Sequence, residues 1–441
     1  MRCRVAGLLT VICLAVAPRA RAEPFLLPTE AALARLIDES LAARPELAGA
    51  LAIVQAREQL VPQAGALPDP MLQIGIQNDG FTSIQIGRSE SSFVLFMAAQ
   101  TFPWPGELGL RTELAELDAA QSKQAVARLR LSTEAEVRRA FLDVVLARDR
   151  LALLDQLGAV WQNALGTARA RYEAGASAQS DVLRAQLEQT RLEQRRIVVE
   201  GAERGGRQAI NRLRAQPLDA AIETTSHAHT LSELAIFASR FSVERARAQS
   251  PELATARLAS ARTDRSIALA EKSFYPDLTV AAGVMLRGGL PPMWLATLAG
   301  PVPLFAGRKQ SHAVSESRAW ASAARNEVTR IEQVLNLRTV ERRTAFAALL
   351  AMIALYEQGL LIQSQATTES TLSQYKAGKV TFASVLEANA GFITDQDGYR
   401  EAVAAAERIL ISEAEISLAP APAPAGGLGV PAASDSSSAG M

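Results

Sequence analysis

The sequence predicts a mainly α-helical protein with a small β part, built from two similar halves. The composition supports this, because 49% of the residues are hydrophobic but only 5% are aromatic, and helix-forming Ala, Leu, Glu, Gln and Arg are abundant. Landmark motifs recur in the same order in both halves. Each half also contains a long stretch without proline, at 106–175 and at 307–378. Long helices are therefore expected in both halves.

Residues 1–22 have the features of a secretory signal peptide. Arginines precede an apolar run of 13 residues, and Ala-Arg-Ala at 20–22 forms a small-x-small cleavage site before Glu23. A membrane anchor is the alternative, but the run is shorter than the ~20 residues that a spanning helix needs. Both cysteines, Cys3 and Cys13, lie in this segment. The mature chain therefore has neither disulfides nor thiolate ligands.

The charge balance argues against a nucleic-acid partner. Without the four arginines of the predicted signal peptide, 42 Lys and Arg residues face 46 Asp and Glu residues, a net charge of −4. Proteins that bind nucleic acids carry an excess of basic residues instead. At the other end, residues 419–441 are rich in Pro, Gly, Ser and Ala and lack periodicity, so a disordered tail is predicted there.

Four landmarks indicate a tandem repeat of about 205 residues. The longest is RYEAGASAQSDVLRA at 171–185, which returns as QYKAGKVTFASVLEA at 374–388. The others are Pro-Glu-Leu-Ala at 45–48 and 251–254, Pro-Asp at 68–69 and 276–277, and TFPWPG and PVPLFAG, which end at Gly106 and Gly307. The first structural repeat is predicted at 23–216 and the second at 241–418, with an irregular insertion at 217–240.

Each repeat is predicted to contain a first helix, which in the second repeat runs from near Val243 past Pro251 to Phe274, followed by a β-hairpin, a long helix and a return helix. The last three lie at about 70–103, 106–174 and 181–216 in the first repeat, and at about 277–303, 307–377 and 382–418 in the second. At ~1.5 Å per residue, each long helix would extend ~100 Å. Its apolar residues recur at spacings of three and four. Such a helix needs partner helices along its length.

The predicted strands alternate between apolar residues and small or polar ones. The apolar positions are Leu72, Ile74 and Ile76 in the first repeat and Val280, Val284 and Leu286 in the second. This alternation is typical of a transmembrane β-barrel with lipid outside and water inside; a soluble sheet with one face on a core is the alternative. Four strands are too few to close a barrel, and a bilayer does not tolerate open sheet edges. Several chains are therefore expected to share one barrel.

These motifs resemble those of the TolC-type outer-membrane efflux proteins over essentially all of the mature chain. The resemblance is carried by the repeated Y-x-A-G-x6-V-L-x-A turn, by Pro-Asp before each hairpin, and by QTFPWPGELGLR at 100–111. The last stretch is most similar to the heavy-metal, cobalt-zinc-cadmium branch of resistance-nodulation-division systems. The resemblance implies an exit duct for metal cations, with drug or protein export as alternatives. A secreted coiled-coil scaffold without a pore is an alternative of a different class.

The resemblance also implies the assembly. Three chains would form a homotrimer with a 12-stranded barrel in the outer membrane of a Gram-negative bacterium, continued by a helical tunnel through the periplasm. The inner end of the tunnel would dock a periplasmic adaptor protein, which links it to an inner-membrane pump. Members anchored by lipid need a cysteine as the first mature residue. Because Glu23 occupies that position and Cys13 lacks a lipobox-like context, the chain is not expected to be lipidated.

The repeated turn is expected to form the periplasmic tip, where both helical hairpins reverse and the adaptor docks. The predicted tip and constriction residues are Tyr172, Gly175, Asp181, Tyr375, Lys376 and Gly378. The two glycines follow the long helices, where a left-handed C-cap is expected. The second turn has Val380 and Thr381 where a charge-based latch would need a charged partner. The alternative is a pair of ordinary helix-hairpin turns without a partner.

The sequence contains no motif that indicates an enzyme or a cofactor. Hydrolase elbows, phosphate loops, dinucleotide fingerprints and zinc-protease helices are all missing from it. His227 and His229 could present two imidazoles to a metal, but no cysteine or acidic cluster accompanies them in the sequence. His312 stands alone and is interpreted as an ordinary helix residue. The chain is therefore predicted not to be an enzyme.

Overall fold

The structure of the chain is a computed structural model that describes residues 31–224 and 229–420. The predicted signal peptide, residues 421–441 of the predicted tail, and His227 lie outside the described residues. Within them, the helices are α1 (Ala31–Ala43), α2 (Pro45–Gly65), α3 (Glu107–Glu173), α4 (Gln179–Leu213), α5 (Leu231–Ala235), α6 (Val243–Gln249), α7 (Pro251–Lys272), α8 (Gln310–Leu355), α9 (Leu361–Lys376) and α10 (Phe382–Ala414). The strands are β1 (Met71–Gln77), β2 (Phe93–Phe102), β3 (Leu278–Arg287) and β4 (Leu290–Ala299).

The first helical segment of each repeat is broken by a proline. The sequence analysis expects one helix from Val243 past Pro251, but α6 ends at Gln249 and α7 begins at Pro251. Between them Ser250 is extended, and its hydroxyl accepts a hydrogen bond from the N–H of Leu253 at 3.2 Å. The residue before a proline disfavours the helical conformation, whereas proline suits the first helical position. Pro45 begins α2 in the same way.

The long segment of the second repeat is interrupted, unlike the 67-residue α3. A π-helical turn at Tyr356–Leu360 separates α8 from α9. Here the Tyr356 side chain lies over Gly398 of α10, where a Cβ would clash with the tyrosine hydroxyl. Beside it, the Tyr399 hydroxyl donates to Glu357 Oε1 at 2.8 Å, and burial raises the pKa of Tyr399 to about 12. The sequence has no proline here and gave no sign of an interruption. The side chains of the turn contact α10, which local sequence patterns do not show.

The helices of the two repeats pack in corresponding ways, and α3 of the first repeat also contacts the second. In the first repeat α3 packs on α2 near the strands and on α4 towards its other end; in the second, α8 packs on α7, and α9 and α10 pack together. Contacts of α3 with α7 and α10 join the repeats. Each long helix therefore has partners along its length, as its seam of apolar residues requires.

A shared hydrophobic core lies at the end of the helices remote from the strands. This tip cluster combines Trp161 of α3 and Ala185 of α4 with Tyr375, Phe382 and Val385 of the second repeat, all buried. The Tyr375 and Phe382 rings are 5.3 Å apart in a T-shaped arrangement, which is a favourable geometry for aromatic pairs. The repeated turns are thus held together by a common core.

Two buried glutamates stand at the end of α10. Glu413 is fully buried and accepts hydrogen bonds from Arg342 Nε at 2.7 Å and Arg245 Nη2 at 2.6 Å. Glu415 accepts one from Arg128 of α3 at 2.7 Å. Since Arg128 belongs to the first repeat and Arg342 to α8 in the second, these glutamates tie the end of α10 to both repeats.

One described helical stretch, Gln310–Lys376, is long and apolar enough by length and composition to cross a membrane. It consists of α8, the π-helical turn and α9. Within this stretch Phe346, Leu349 and Ile353 are buried in a cluster with residues of α10, whereas Leu355 and Ile362 are exposed in the single chain. We therefore interpret it as part of a helical hairpin.

Candidate functional site

The strands of both repeats form one antiparallel sheet in the order β1-β2-β3-β4. The central pair joins the repeats, with Val94 opposite Leu286 and Phe102 opposite Leu278. Within the described residues, β1 and β4 each have a neighbour on one side only. Both edges of the sheet are therefore open in a single chain.

All six residues predicted to face lipid lie on one face of the sheet, which we call the apolar face. The register places Ile74 opposite Phe96, Phe96 opposite Val284, and Val284 opposite Trp294. These side chains are exposed in the single chain, for example Ile74 by 71% and Trp294 by 81%. Gln73, on the other face, is exposed as well. A soluble sheet would bury its apolar face against a core, whereas here that face is exposed. The central strands of the other face are half-buried, and Ala281 there is 5% exposed.

The second face of the sheet, which we call the mixed face, is less polar than the sequence analysis expects. It carries Gln73, Gln77, Thr101 and Thr279, but also Leu95, Met97, Met285, Met293 and Leu295. The sequence alone could not divide β2 between the faces, because most of its residues from Phe93 to Ala99 are apolar. Only its register against β1 and β3 decides which of them share a face.

An aromatic junction lies where the strands meet the helices. Trp104, just after β2, stacks on Tyr275, just before β3, with ring centroids 4.7 Å apart. The backbone N–H of Trp104 donates to Asp277 Oδ1 at 3.0 Å, so the recurring Pro-Asp landmark holds the junction in the second repeat.

Both tip glycines have the same backbone geometry. The φ angles of Gly175 and Gly378 are 69° and 72°, in the left-handed region that the sequence analysis expects. In each turn the glycine N–H and the following N–H bond back to the last turn of the helix, for example Gly175 to Tyr172 O at 2.9 Å and Ala176 to Arg171 O at 2.8 Å. This pattern is a Schellman motif, which satisfies the last carbonyls of a helix.

Arg171 connects the two tips, a role that the sequence analysis missed. Its Nη1 donates to the backbone oxygen of Tyr375 at 2.7 Å, and its Nη2 donates to that of Ala176 at 3.1 Å. The guanidinium carbon also lies 5.0 Å from the centre of the Tyr375 ring. A Cβ at Gly378 would be 3.3 Å from Arg171 Nη1. One arginine of the first hairpin thus binds the helix end of the second, 204 residues away.

Tyr375 and Asp181 are also brought together at the tip. Tyr375 is 1% exposed, and its hydroxyl donates to Asp181 Oδ2 at 3.4 Å. Burial, and then the Asp181 charge, raise the pKa of this tyrosine. Tyr172 and Lys376 instead lie on the surface. Two kinds of contact thus join the hairpins among the described residues. Arg171 and Tyr375 make hydrogen bonds to the other hairpin, and the Arg171 guanidinium lies over the Tyr375 ring.

His229, in the irregular insertion at 217–240, pairs with a carboxylate of α10. Its Nδ1 lies 2.8 Å from Glu407 Oε1 of α10, and this hydrogen bond raises the pKa of His229 above the ordinary value of 6.5. Glu233 acts in the same direction through its charge. Among the described residues no group of three His, Cys, Asp or Glu could hold a metal ion. His229 is therefore paired with Glu407. His227, the second histidine of the predicted metal pair, lies outside the described residues.

The His229 pair predicts a pH-dependent contribution to stability. A raised pKa in the folded state stabilises the protein below the unfolded pKa, and this contribution is lost as pH rises through the folded value. We expect the melting temperature of His229→Gln to fall below that of the wild type at about pH 5.5 and to approach it at about pH 8.5. His312→Gln, at an exposed position of α8, is the control. A His229→Gln deficit that is equal at both pH values would contradict the prediction.

Comparison with known proteins gives one family and many similar folds. Residues 36–215 match the family described as outer membrane efflux protein. A search of curated protein sequences gave no match. The outer membrane protein VceC from Vibrio cholerae has 17% identity and a TM-score of 0.71, over 87% of this chain and 95% of that one.

Two further solved channels are similar. CusC, whose structures concern transmembrane channel formation, has 15% identity and a TM-score of 0.71 over 89% of this chain and 96% of its own. The open MtrE outer membrane channel of Neisseria gonorrhoeae has 15% identity and a TM-score of 0.66 over 87% and 88%. At such identities the likeness shows the fold.

The family match also bears on the prediction that the chain is not an enzyme. Outer membrane efflux proteins are channels and not enzymes, and the match of residues 36–215 agrees with that prediction. The predicted resemblance is supported over these residues. Through residues 36–215 the sequence matches the outer membrane efflux protein family, and over 87–89% of its length the chain has the fold of the solved outer-membrane channels VceC and CusC.

Proposed function

We propose that the chain is the outer-membrane exit duct of a tripartite efflux system and conducts substrates passively. The observation that carries this proposal is the four-stranded sheet, which has an apolar face, two open edges and no covering core within the described residues. A bilayer accepts such a sheet only when its edges are paired, because an unpaired backbone group in hydrocarbon costs several kcal/mol. Pairing β1 of one copy with β4 of the next satisfies both edges.

Three copies give a 12-stranded barrel, which is wide enough to leave a water-filled channel. The helices then continue the duct below the membrane, since the 67 residues of α3 extend ~100 Å. We propose the homotrimer on this basis, in the outer membrane of a Gram-negative bacterium, with Leu72, Ile74, Ile76, Val280, Val284 and Leu286 facing lipid. Signal-peptide cleavage before Glu23 without lipidation belongs to the same proposal.

The tip is proposed to dock the periplasmic adaptor, which connects the duct to an inner-membrane pump. Two features support this placement. The tip cluster and the Arg171 contacts make the two turns one rigid unit, and Tyr172 and Lys376 are exposed on it. Closure of the tunnel at the tip would then rest on contacts such as that between Tyr375 and Asp181.

We infer heavy-metal cations as the substrate class, from the resemblance of the stretch at 100–111. Export of drugs or of proteins is the alternative, because the pump rather than the duct usually selects the substrate. A secreted scaffold without a pore is disfavoured, since a scaffold has no use for an exposed apolar sheet face in each repeat.

The docking role is tested by the double variant Gly175→Val, Gly378→Val. Valine in the left-handed region costs ~1–2 kcal/mol per site, so the turns should distort while the remote barrel still assembles. We expect oligomer in the outer membrane at wild-type levels, with loss of adaptor crosslinking and of metal resistance. The matched control is Gly201→Val, Gly391→Val, because these helix glycines have open space around them and ordinary φ values. If the tip variant still crosslinks and confers resistance, the tip is not the docking surface.

A further inference from the structure

The methionines of the chain are concentrated in the sheet. Five of the seven methionines of the sequence lie in the described residues. Four of these five are in the strands, at Met71, Met97, Met285 and Met293, while Met352 lies in α8. Each strand therefore contributes one thioether.

All four strand methionines lie on the mixed face and none on the apolar face. The register shows this, because Met97 is opposite Gln73 and Met71 is opposite Ala99. Leu95 and Leu295 lie on this face too, so its side chains are not all polar. Among the side chains of the described strands on this face, only the methionines offer a soft ligand atom.

Three of the methionines are neighbours on this face. Met285 and Met293 are directly opposite each other, which places their Cβ atoms about 4.5–5.5 Å apart. Met97 is the diagonal neighbour of Met285, because Met285 is opposite Leu95, two residues before Met97. Diagonal neighbours are about 7–8 Å apart. Since methionine has three rotatable side-chain bonds, the sulfur atoms of Met285 and Met293 can reach one bound ion, and Met97 provides the next thioether beside Met285.

A glycine keeps the space beside Met97 open. Gly283 is opposite Met97 and lies two residues before Met285. A Cβ at Gly283 would be 3.0 Å from Met97 Cβ and 2.7 Å from the backbone oxygen of Phe96, so any larger residue would push against this strand. The third methionine therefore has room to lean towards the other two.

We propose that Met97, Met285 and Met293 form a thioether site for a soft monovalent cation, Cu(I) or Ag(I), on the inner wall of the duct. This rests on the proposed function, because the mixed face becomes an inner wall only when the sheet closes into a barrel. Thioether ligands select Cu(I) over hard divalent cations. The four described strands contain no carboxylate, histidine or cysteine, so sulfur is the only soft ligand available there.

The neutrality of the ligands suits a transit site rather than a storage site. A conducting pore needs binding that is favourable enough for entry and weak enough for exit. Three uncharged thioethers provide binding without the strong attraction of a thiolate or carboxylate cage. The site would thus pass a soft cation along the wall, and Zn²⁺, which prefers imidazole, thiolate or carboxylate, would not be held.

The experiment compares Ag⁺ binding to the full-length wild type and to the triple variant Met97→Leu, Met285→Leu, Met293→Leu in detergent and chloride-free buffer. Methionine and leucine have similar volumes, so the variant should fold. Equilibrium dialysis is expected to give about one Ag⁺ per wild-type chain, and an affinity at least about tenfold lower for the triple variant. The control is Met71→Leu, Met352→Leu, which retains the three proposed ligands and should bind like the wild type.

X-ray absorption at the silver edge gives a second readout. Sulfur neighbours around Ag⁺ in the wild type and the control, but not in the triple variant, would support the site. Equal binding by the triple variant, or only oxygen and nitrogen neighbours in the wild type, would overturn it. Conductance in planar bilayers separates the two proposals. If the proteins conduct but the triple variant binds silver as well as the wild type does, the site alone is wrong. If the wild type does not conduct, the proposed duct is wrong.

Discussion

Glu413→Ala is expected to destabilise the folded protein by ~3–5 kcal/mol, because removing one partner of a buried ion pair leaves an uncompensated buried charge. Arg342 would be that charge. Both Arg342 and Glu413 are fully buried, and Arg342 Nε lies 2.7 Å from Glu413 Oε2. Arg245, which is 21% exposed in its side chain, would lose the same carboxylate. The measurement is the denaturant midpoint followed by helical circular dichroism at fixed protein concentration, since stability of an oligomer depends on concentration.

The control for this variant is Glu327→Ala in α8. Glu327 pairs with Arg330 at 2.6 Å, but both side chains are about half exposed, and exposed pairs contribute less than about 1 kcal/mol. A second variant, Glu413→Leu with Arg342→Met, removes both charges and should recover much of the loss. If Glu413→Ala and Glu327→Ala shift the midpoint equally, the buried pair does not hold the end of α10.

Ile74→Lys is expected to prevent formation of the heat-resistant oligomer in the outer membrane, whereas Gln73→Lys is expected to permit it. Ile74 lies on the apolar face opposite Phe96, and Gln73 lies on the mixed face opposite Met97. A lysine facing lipid costs ~2–4 kcal/mol near the bilayer midplane, while one that faces a water-filled lumen remains hydrated. In the proposed trimer, three copies of the change in one barrel would multiply the difference.

Gel electrophoresis of unheated and heated outer-membrane samples measures the oligomer directly. The two positions are adjacent in β1 and both variants introduce a lysine, so the added charge is matched. Equal loss of oligomer in both would mean that neither face is tolerant of charge. Equal retention would mean that the apolar face does not contact lipid, and the barrel assignment would then be wrong.

Local sequence patterns determined much of this protein. Apolar residues at spacings of three and four predict a helix, and the alternation of apolar with small or polar residues in β1 and β3 predicts a strand. Both periods follow from backbone geometry within a few residues. The tip glycines were predictable for the same reason, since a left-handed C-cap is a local requirement. The tandem repeat then transferred each assignment from one half to the other.

Contacts between distant residues were decided only by the tertiary structure. Arg171 looked like an ordinary basic residue at a helix end, and only the packing of the second hairpin places the Tyr375 carbonyl within 2.7 Å of it. The faces of β2 depend on its register with strands up to 192 residues away, as in the pair Val94 and Leu286. The ion pairs of buried Glu413 depend in the same way on α6 and α8, whose arginines lie 168 and 71 residues away in the chain. Such contacts leave no periodic signal in the chain, because the energy that fixes them comes from packing and desolvation in three dimensions.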